Sequence, residues 1–333
     1  MNKKIFVVGN SRSGTTMMGR ILGKNKDIFT FHELHFFEQL WSPSEIDKKV
    51  EKTAAQSLFS KLACIEREGY LKGCKGNNQY IEESKEQITE ELIKSDVFSK
   101  FLHYEAIENN KTIPCDQTPR NLFYCKEILD LYPDAKIIYM VRDPRDVLLS
   151  QKNKWKRRFL GAKNIPLKEA LRAWINYHPV TISKLWRASV NHMKPLEARD
   201  SVRKVYFEEL LQSPKEIIGG ICEFIGIEYT DEMLNVPQVG SSTGGDKPKS
   251  KVIDKNKIAG YKKGGVSNVE LYINESILKD SMSYHNYKPE GFLVNPLKLL
   301  YMYATFPFKI IIALLLNLNR MNNIVETIKR RLG

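Results

Sequence analysis

Ile5-Phe6-Val7-Val8-Gly9-Asn10-Ser11-Arg12-Ser13-Gly14-Thr15-Thr16 follows two lysines near the start of the chain, and its reading decides the fold. Four consecutive apolar residues, Ile5 to Val8, predict a strand buried on both faces. A turn with Gly9 and Gly14 comes next, then helical spacing through Met17, Met18, Ile21 and Leu22. Ile28-Phe29-Thr30-Phe31 predicts a second strand. Strand, glycine turn, helix and strand make the opening βαβ unit of a parallel sheet.

Further along, Thr112 to Cys115, Lys136 to Val141 and Val202 to Phe207 predict more strands. Helices are expected over 121–131, 145–154 and 214–225, with a long one over 167–190 kinked at Pro179. From Ser44 to Asn109 the pattern is mostly helical, broken by a polar stretch from Glu66 to Gln79. Val236 to Gly265, rich in Gly, Ser and Lys, reads as a long basic loop. The expected class is α/β, a P-loop-type three-layer fold with a central parallel sheet flanked by helices.

Gly9 and Gly14 have the G-x-x-x-x-G spacing of a Walker A loop, but Thr15 stands where that loop has lysine. Backbone N–H groups at the turn and helix N-terminus still face an anion. Thr15 and Thr16 add hydroxyls, and Arg12 adds a forked cation. Without the lysine that reaches β- and γ-phosphates, an ATPase, kinase or GTPase reading weakens.

Ser11-Arg12-Ser13-Gly14-Thr15-Thr16 resembles the 5′-phosphosulfate loop of sulfotransferases, which use 3′-phosphoadenosine 5′-phosphosulfate (PAPS) as donor. Tyr139 to Ser150 is similar to the family's 3′-phosphate segment, which implies that Arg142 and Ser150 grip that phosphate. Taken alone, Arg142-Asp143 reads as a local salt bridge at a strand end. Asp116-Gln117-Thr118-Pro119 resembles the family's K-T-P element, with Gln117 in the lysine position. Val205 to Leu210 resembles a later strand, with Phe207 where the family has Tyr. Ile258 to Lys263 is similar to the late segment I-G-R-W-R, with Tyr261 as the aromatic. The resemblance spans about residues 4 to 265 and implies Arg12, Ser13, Gly14, Thr15, Thr16, Arg142 and Ser150 as donor-binding residues.

Sulfuryl transfer needs a base for the acceptor and positive donors for the developing charge. The resemblance implies Glu33 as base and Arg12 as the catalytic cation. Glu33 lies in His32-Glu33-Leu34-His35, just past the second strand. The end of strand two is expected beside the loop of strand one, which would face Glu33 toward the donor. His32 and His35 compete for the role. Their spacing is not that of a zinc helix, and no metal is expected.

Lys152, Lys154, Lys156, Arg157 and Arg158 put five cations in seven residues. An anion path and a solvated helix end are equal readings of that run. Lys154, one turn after Ser150, is best placed to reach the donor. Leu299 to Leu316 holds eighteen residues with one charge, Lys309, and is expected to break at Pro307. An interfacial segment on an anionic membrane and a helix pair packed on the domain or in a homodimer stand side by side; a full membrane span ranks below both.

The chain has 333 residues, 42% hydrophobic and 27% charged, which excludes disordered and fibrous classes. The charge of +13 favours an acidic partner; nucleic acid is not expected. Five cysteines with no C-x-x-C predict reduced thiols in a cytoplasmic setting, with peripheral membrane contact through the tail as an option. No N-terminal signal or anchor is expected, because Lys3-Lys4 lead straight into the strand. Residues 1–290 are expected to form the sulfotransferase-like domain and 291–333 an apolar, basic tail.

The expected function is therefore sulfuryl transfer from PAPS to a hydroxyl or amine on a glycan, lipid, small alcohol or tyrosine. Two rivals stand beside it: a P-loop phosphotransferase, and an inactive nucleotide or polyanion binder. Gln117 and Phe207 keep the last one open.

Overall fold

The computed structural model describes residues 3–69, 78–160, 165–236, 253–318 and 324–332. Seven strands are described: β1 (Ile5–Gly9), β2 (Ile28–Phe31), β3 (Lys49–Val50), β4 (Leu92–Ile93), β5 (Ile113–Asp116), β6 (Lys136–Val141) and β7 (Val202–Tyr206). Five of them form one parallel sheet in the order β2-β5-β1-β6-β7, while β3 and β4 pair antiparallel on their own.

Successive residues of a strand point to opposite faces, and β1 buries both. Phe6 and Val8 enter one hydrophobic cluster; Ile5 and Val7 enter the other. Helices Thr15–Leu22 and Pro214–Ile225 cover the second face, and helices Lys52–Glu68, Lys94–Glu108 and Pro179–Met193 pack into the first cluster. The result is the expected three-layer α/β fold.

The sheet order corrects one expectation. Strand β5 lies between β1 and β2, so the end of β2 is not beside the β1 loop. The order in which strands are added reverses at β1, with β5 on one side and β6 on the other, all parallel. A crevice opens at the carboxyl ends there, where ligands sit in such folds.

Other departures are local. The expected long helix is two, Leu167–Ile175 and Pro179–Met193, because Pro179 takes the first-turn position of a new helix. Residues Pro119–Tyr124 form a 3-10 turn before helix Cys125–Leu131. The basic loop falls largely outside the described residues, as does part of the polar stretch after Glu66. The tail does not break at Pro307: one helix runs through it, Pro296–Asn317. Pro307 removes a single N–H, and Leu299, Met302 and Phe306 hold the turns before it against Val180, Val269 and Ile273.

Cys64 is disulfide-bonded, which corrects the reading of five reduced thiols. An odd total does not forbid one bridge. Cys115, Cys125 and Cys222 are free and buried. The cytoplasmic expectation rests on reduced thiols, and Cys64 does not meet it.

Candidate active site

The crevice is built from the loop after β1 and the helix after β6. Arg12 (φ 80°) and Gly14 (φ 96°) both adopt left-handed backbone, which turns the loop back over the start of helix Thr15–Leu22. A Cβ at Gly14 would stand 2.4 Å from the Phe207 ring, so only glycine fits. The strand-end helix Pro144–Lys152 holds this loop through consecutive residues. Arg12 Nε donates to Ser150 Oγ at 2.9 Å, and Gln151 Nε2 donates to the Ser11 carbonyl at 3.2 Å.

Arg142 does not pair with Asp143. Asp143 caps the helix and grips Arg145 at 2.7 Å instead. That leaves the Arg142 guanidinium for the crevice. It donates to the carbonyls of Arg12 and Lys257, each at 3.1 Å, and stacks on the Phe207 ring 4.4 Å away. Asp146 lies 3.8 Å from it, and Trp186 Nε1 pins the Arg142 carbonyl at 3.1 Å. Phe207 thus serves as a wall beneath both Gly14 and Arg142.

Positive groups crowd here. Burial lowers the pKa of Arg12 most, and the charges of Arg157 and Arg142 lower it further, against an opposing pull from Glu33. A guanidinium keeps its proton, so the shift measures how much this place favours an anion. Lys154 is exposed by area yet crowded by the crevice walls; desolvation, then Arg12 and Arg120, lower its ammonium to about 8. Lys257 is lowered by burial, with Arg142 and Arg12 contributing. Ser13 Oγ and Arg142 Nε are buried without a hydrogen-bond partner. Polar atoms left so are costly, and an anion seated on the loop would satisfy them.

Glu33 reaches this crevice by an indirect support. Leu34 N–H donates to Thr118 Oγ1 at 3.0 Å, and that hydroxyl donates to Asp116 Oδ1 at 2.6 Å. Asn121 takes the other Asp116 oxygen at 2.8 Å. Burial pushes the Asp116 carboxyl up to about 6, while these hydrogen bonds pull it down. The turn after β2 is therefore stitched to the end of β5, the strand that separates it from β1. Glu33 is half-exposed, and its charge acts on both Arg12 and Lys154. His35, itself left-handed at φ 52°, lies between Glu33 (3.4 Å) and Glu38 (3.5 Å). Glu38 in turn meets Arg120 at 2.7 Å and Arg331 from the end of the chain.

The profile of the Sulfotransferase family matches residues 4–231. The chain belongs to the sulfotransferase family. A putative protein-tyrosine sulfotransferase of Caenorhabditis briggsae is 23% identical over 235 residues, 69% of this chain and 68% of that one. Human sulfotransferase 2A1 is 27% identical over 135 residues, 39% of this chain and 42% of that one. The sulfotransferase domain from the curacin biosynthetic pathway superposes with a TM-score of 0.51 at 19% identity, covering 85% of this chain and 97% of that one. That likeness concerns the fold.

Within this sulfotransferase, the structure brings together Arg12, Ser13, Gly14, Arg142, Ser150 and Lys154, with the charge of Glu33 acting on Arg12 and Lys154. Thr15 is buried at the helix start and Thr16 is exposed beside it. Other residues are drawn elsewhere. His32 leaves the site for Glu66 at 3.0 Å. Lys152 is bound to Glu270 at 2.7 Å. Tyr261 is a packing residue: its ring stacks on Arg145, its N–H bonds Asp146 and its hydroxyl bonds Glu290. Gln117 is buried, its stem lying over Gly19. Lys257 and Arg157 were not picked out from sequence. Arg157 sat in the basic run, and only the fold separates it from Lys152. Lys257 precedes the late segment by one residue and had no signal of its own.

Proposed function

We propose that this sulfotransferase moves a sulfuryl group from PAPS to a hydroxyl or amine acceptor, with Glu33 as general base. One observation carries the reading. Arg12, Arg142, Lys154 and Lys257 converge on a glycine turn whose buried Ser13 hydroxyl lacks a partner. These residues fit a ligand with two separated anionic groups. Arg12, Ser13, Gly14, Thr15 and Thr16 would hold the phosphosulfate, and Arg142, Ser150 and Lys154 the 3′-phosphate.

When bound, PAPS supplies an activated sulfuryl group on a phosphate leaving group. The protein's part is positioning and charge. Loop N–H groups and the start of helix Thr15–Leu22 face the anion without reorganising. Ser150 fixes the Arg12 guanidinium, so its charge stands ready. Glu33 is open to solvent on one side and takes the acceptor's proton. His35, held by Glu38 behind it, orients the Glu33 carboxylate.

The test is calorimetric titration with 3′-phosphoadenosine 5′-phosphate, with ATP and ADP plus Mg²⁺ as comparators. The expected result is metal-independent binding that requires the 3′-phosphate. In Arg142→Ala it weakens by about 10–100-fold, the loss of a charged hydrogen-bonded contact. Preference for Mg·ATP, or indifference to the 3′-phosphate, overturns the reading in favour of phosphoryl chemistry.

A further inference from the structure

Helix Pro296–Asn317 carries only two charges, Lys298 and Lys309, in twenty-two residues, and none of its residues is fully buried. Leu297, Leu300, Phe308, Ile311 and Leu315 are each more than half exposed. Scattered exposed leucines are ordinary; a continuous row is not.

The helix is long enough to cross a bilayer, but its attachments exclude that orientation. Leu299, Met302 and Phe306 pack on the domain. The Met302 carbonyl meets His178 Nε2 at 3.1 Å, Lys309 Nζ donates to the Tyr177 carbonyl at 3.3 Å, and Asn317 donates to Asn176 at 3.0 Å. Beyond it, helix Ile324–Leu332 returns to the domain, where Arg330 binds the Phe123 carbonyl and Glu127. Both ends are thus tied to one body, and the helix lies flat along it.

A second element extends the same surface. Helix Leu167–Ile175 packs beside the tail helix and exposes Leu167, Leu171 and Trp174, with Lys309 over the Trp174 ring at 5.2 Å. Segment Lys154–Leu160 packs against that helix in turn and exposes Phe159. Charge selects the occupant. Residues 291–333 carry six cations against a single acid, Glu326. Arg330 and Arg331 are paired with Glu127 and Glu38, while Lys298 and Lys329 are exposed, as is Lys156 on segment Lys154–Leu160. Apolar residues rimmed by cations and by Tyr301 and Trp174 suit an anionic lipid surface.

We infer that helices Leu167–Ile175 and Pro296–Asn317 together form a face that seats the protein in the plane of an anionic membrane. Segment Lys154–Leu160 spans seven residues, about 14 Å at roughly 2 Å per residue. It leads from the anion crevice to this face, so the crevice opens near the level of the lipid headgroups.

The experiment is co-sedimentation of the full chain with vesicles of equal phosphatidylcholine and phosphatidylglycerol. Two variants are compared, I311D/L315D on the tail helix and L171D/W174D on its neighbour. Circular dichroism melting and binding of 3′-phosphoadenosine 5′-phosphate check that each variant keeps the parent's fold. The parent is expected to pellet with vesicles, and each variant to partition at least about tenfold less. A parent that stays in the supernatant, or variants that pellet as well as it does, overturns the inference. So does a parent dimer in light scattering that the variants split, without vesicle binding; the face is then a seam between two copies.

Discussion

The proposed anion crevice and the turn that carries Glu33, the proposed base, are neighbours built in opposite ways. The crevice is framed by two short contiguous runs, 9–16 and 142–150, with Lys154 just beyond the second and Phe207 and Lys257 added from further along the chain. Its side chains lock one another: Arg12 to Ser150, and Arg142 to the Arg12 carbonyl. The base turn uses single residues from distant places. Glu33 depends on Thr118 below and on His35 beside it, and Glu38 behind them meets Arg120 and Arg331. A glycine turn with its supporting helix can be written locally. A turn held by residues from distant places is assembled from the tertiary fold.

The sharpest way to break this comparison is Glu33→Gln. Turnover with PAPS is expected to fall by about 10²–10⁴-fold, the usual worth of a general base. Affinity for 3′-phosphoadenosine 5′-phosphate stays close to the parent's. If turnover survives, the proton goes elsewhere and the two regions are not divided as proposed.

Thr118→Val probes the stitch rather than the base. It leaves the Leu34 N–H and a buried carboxylate short of a partner, costing about 1–3 kcal/mol of stability in a denaturant melt. We expect kcat to drop by about tenfold with nucleotide affinity unchanged, as positioning within fractions of an ångström predicts. A loss of affinity instead would show that Thr118 supports the crevice.

The smallest effect concerns pH. Lys154, lowered to about 8 by desolvation and neighbouring cations, is charged below that pH and neutral above it. A polyanion binds the charged form, so affinity for 3′-phosphoadenosine 5′-phosphate should hold level below pH 7 and decline above 8. In Lys154→Met the decline should vanish and the affinity at pH 7 should be lower. A parent profile that stays flat to pH 9 removes Lys154 from the crevice.

The nearness of these residues follows the same division. Arg12 to Thr16, Arg142 and Ser150 lie at fixed offsets from two strand ends, so their meeting could be expected from sequence. The expectation for Glu33, the proposed base, rested on β2 lying beside the β1 loop, but β5 separates β1 from β2, and Thr118 bridges the gap. Lys257 was not readable, since its place depends on where a distant loop crosses Arg142. Phe207 looked like a lost hydroxyl and is a supporting wall. Tyr261, matched to the family's late aromatic, is buried against Arg145.

Sequence by itself determined the βαβ opening, the parallel sheet and the glycine turn between the first strand and helix, because strand burial, glycine turns and helix starts are set by neighbours along the chain. Tertiary structure alone decided the strand order, the partners of His32, His35 and Lys152, and the path of the tail along the domain. Those outcomes depend on contacts between residues tens to hundreds of positions apart, and no local spacing encodes which of several cations or carboxylates will meet.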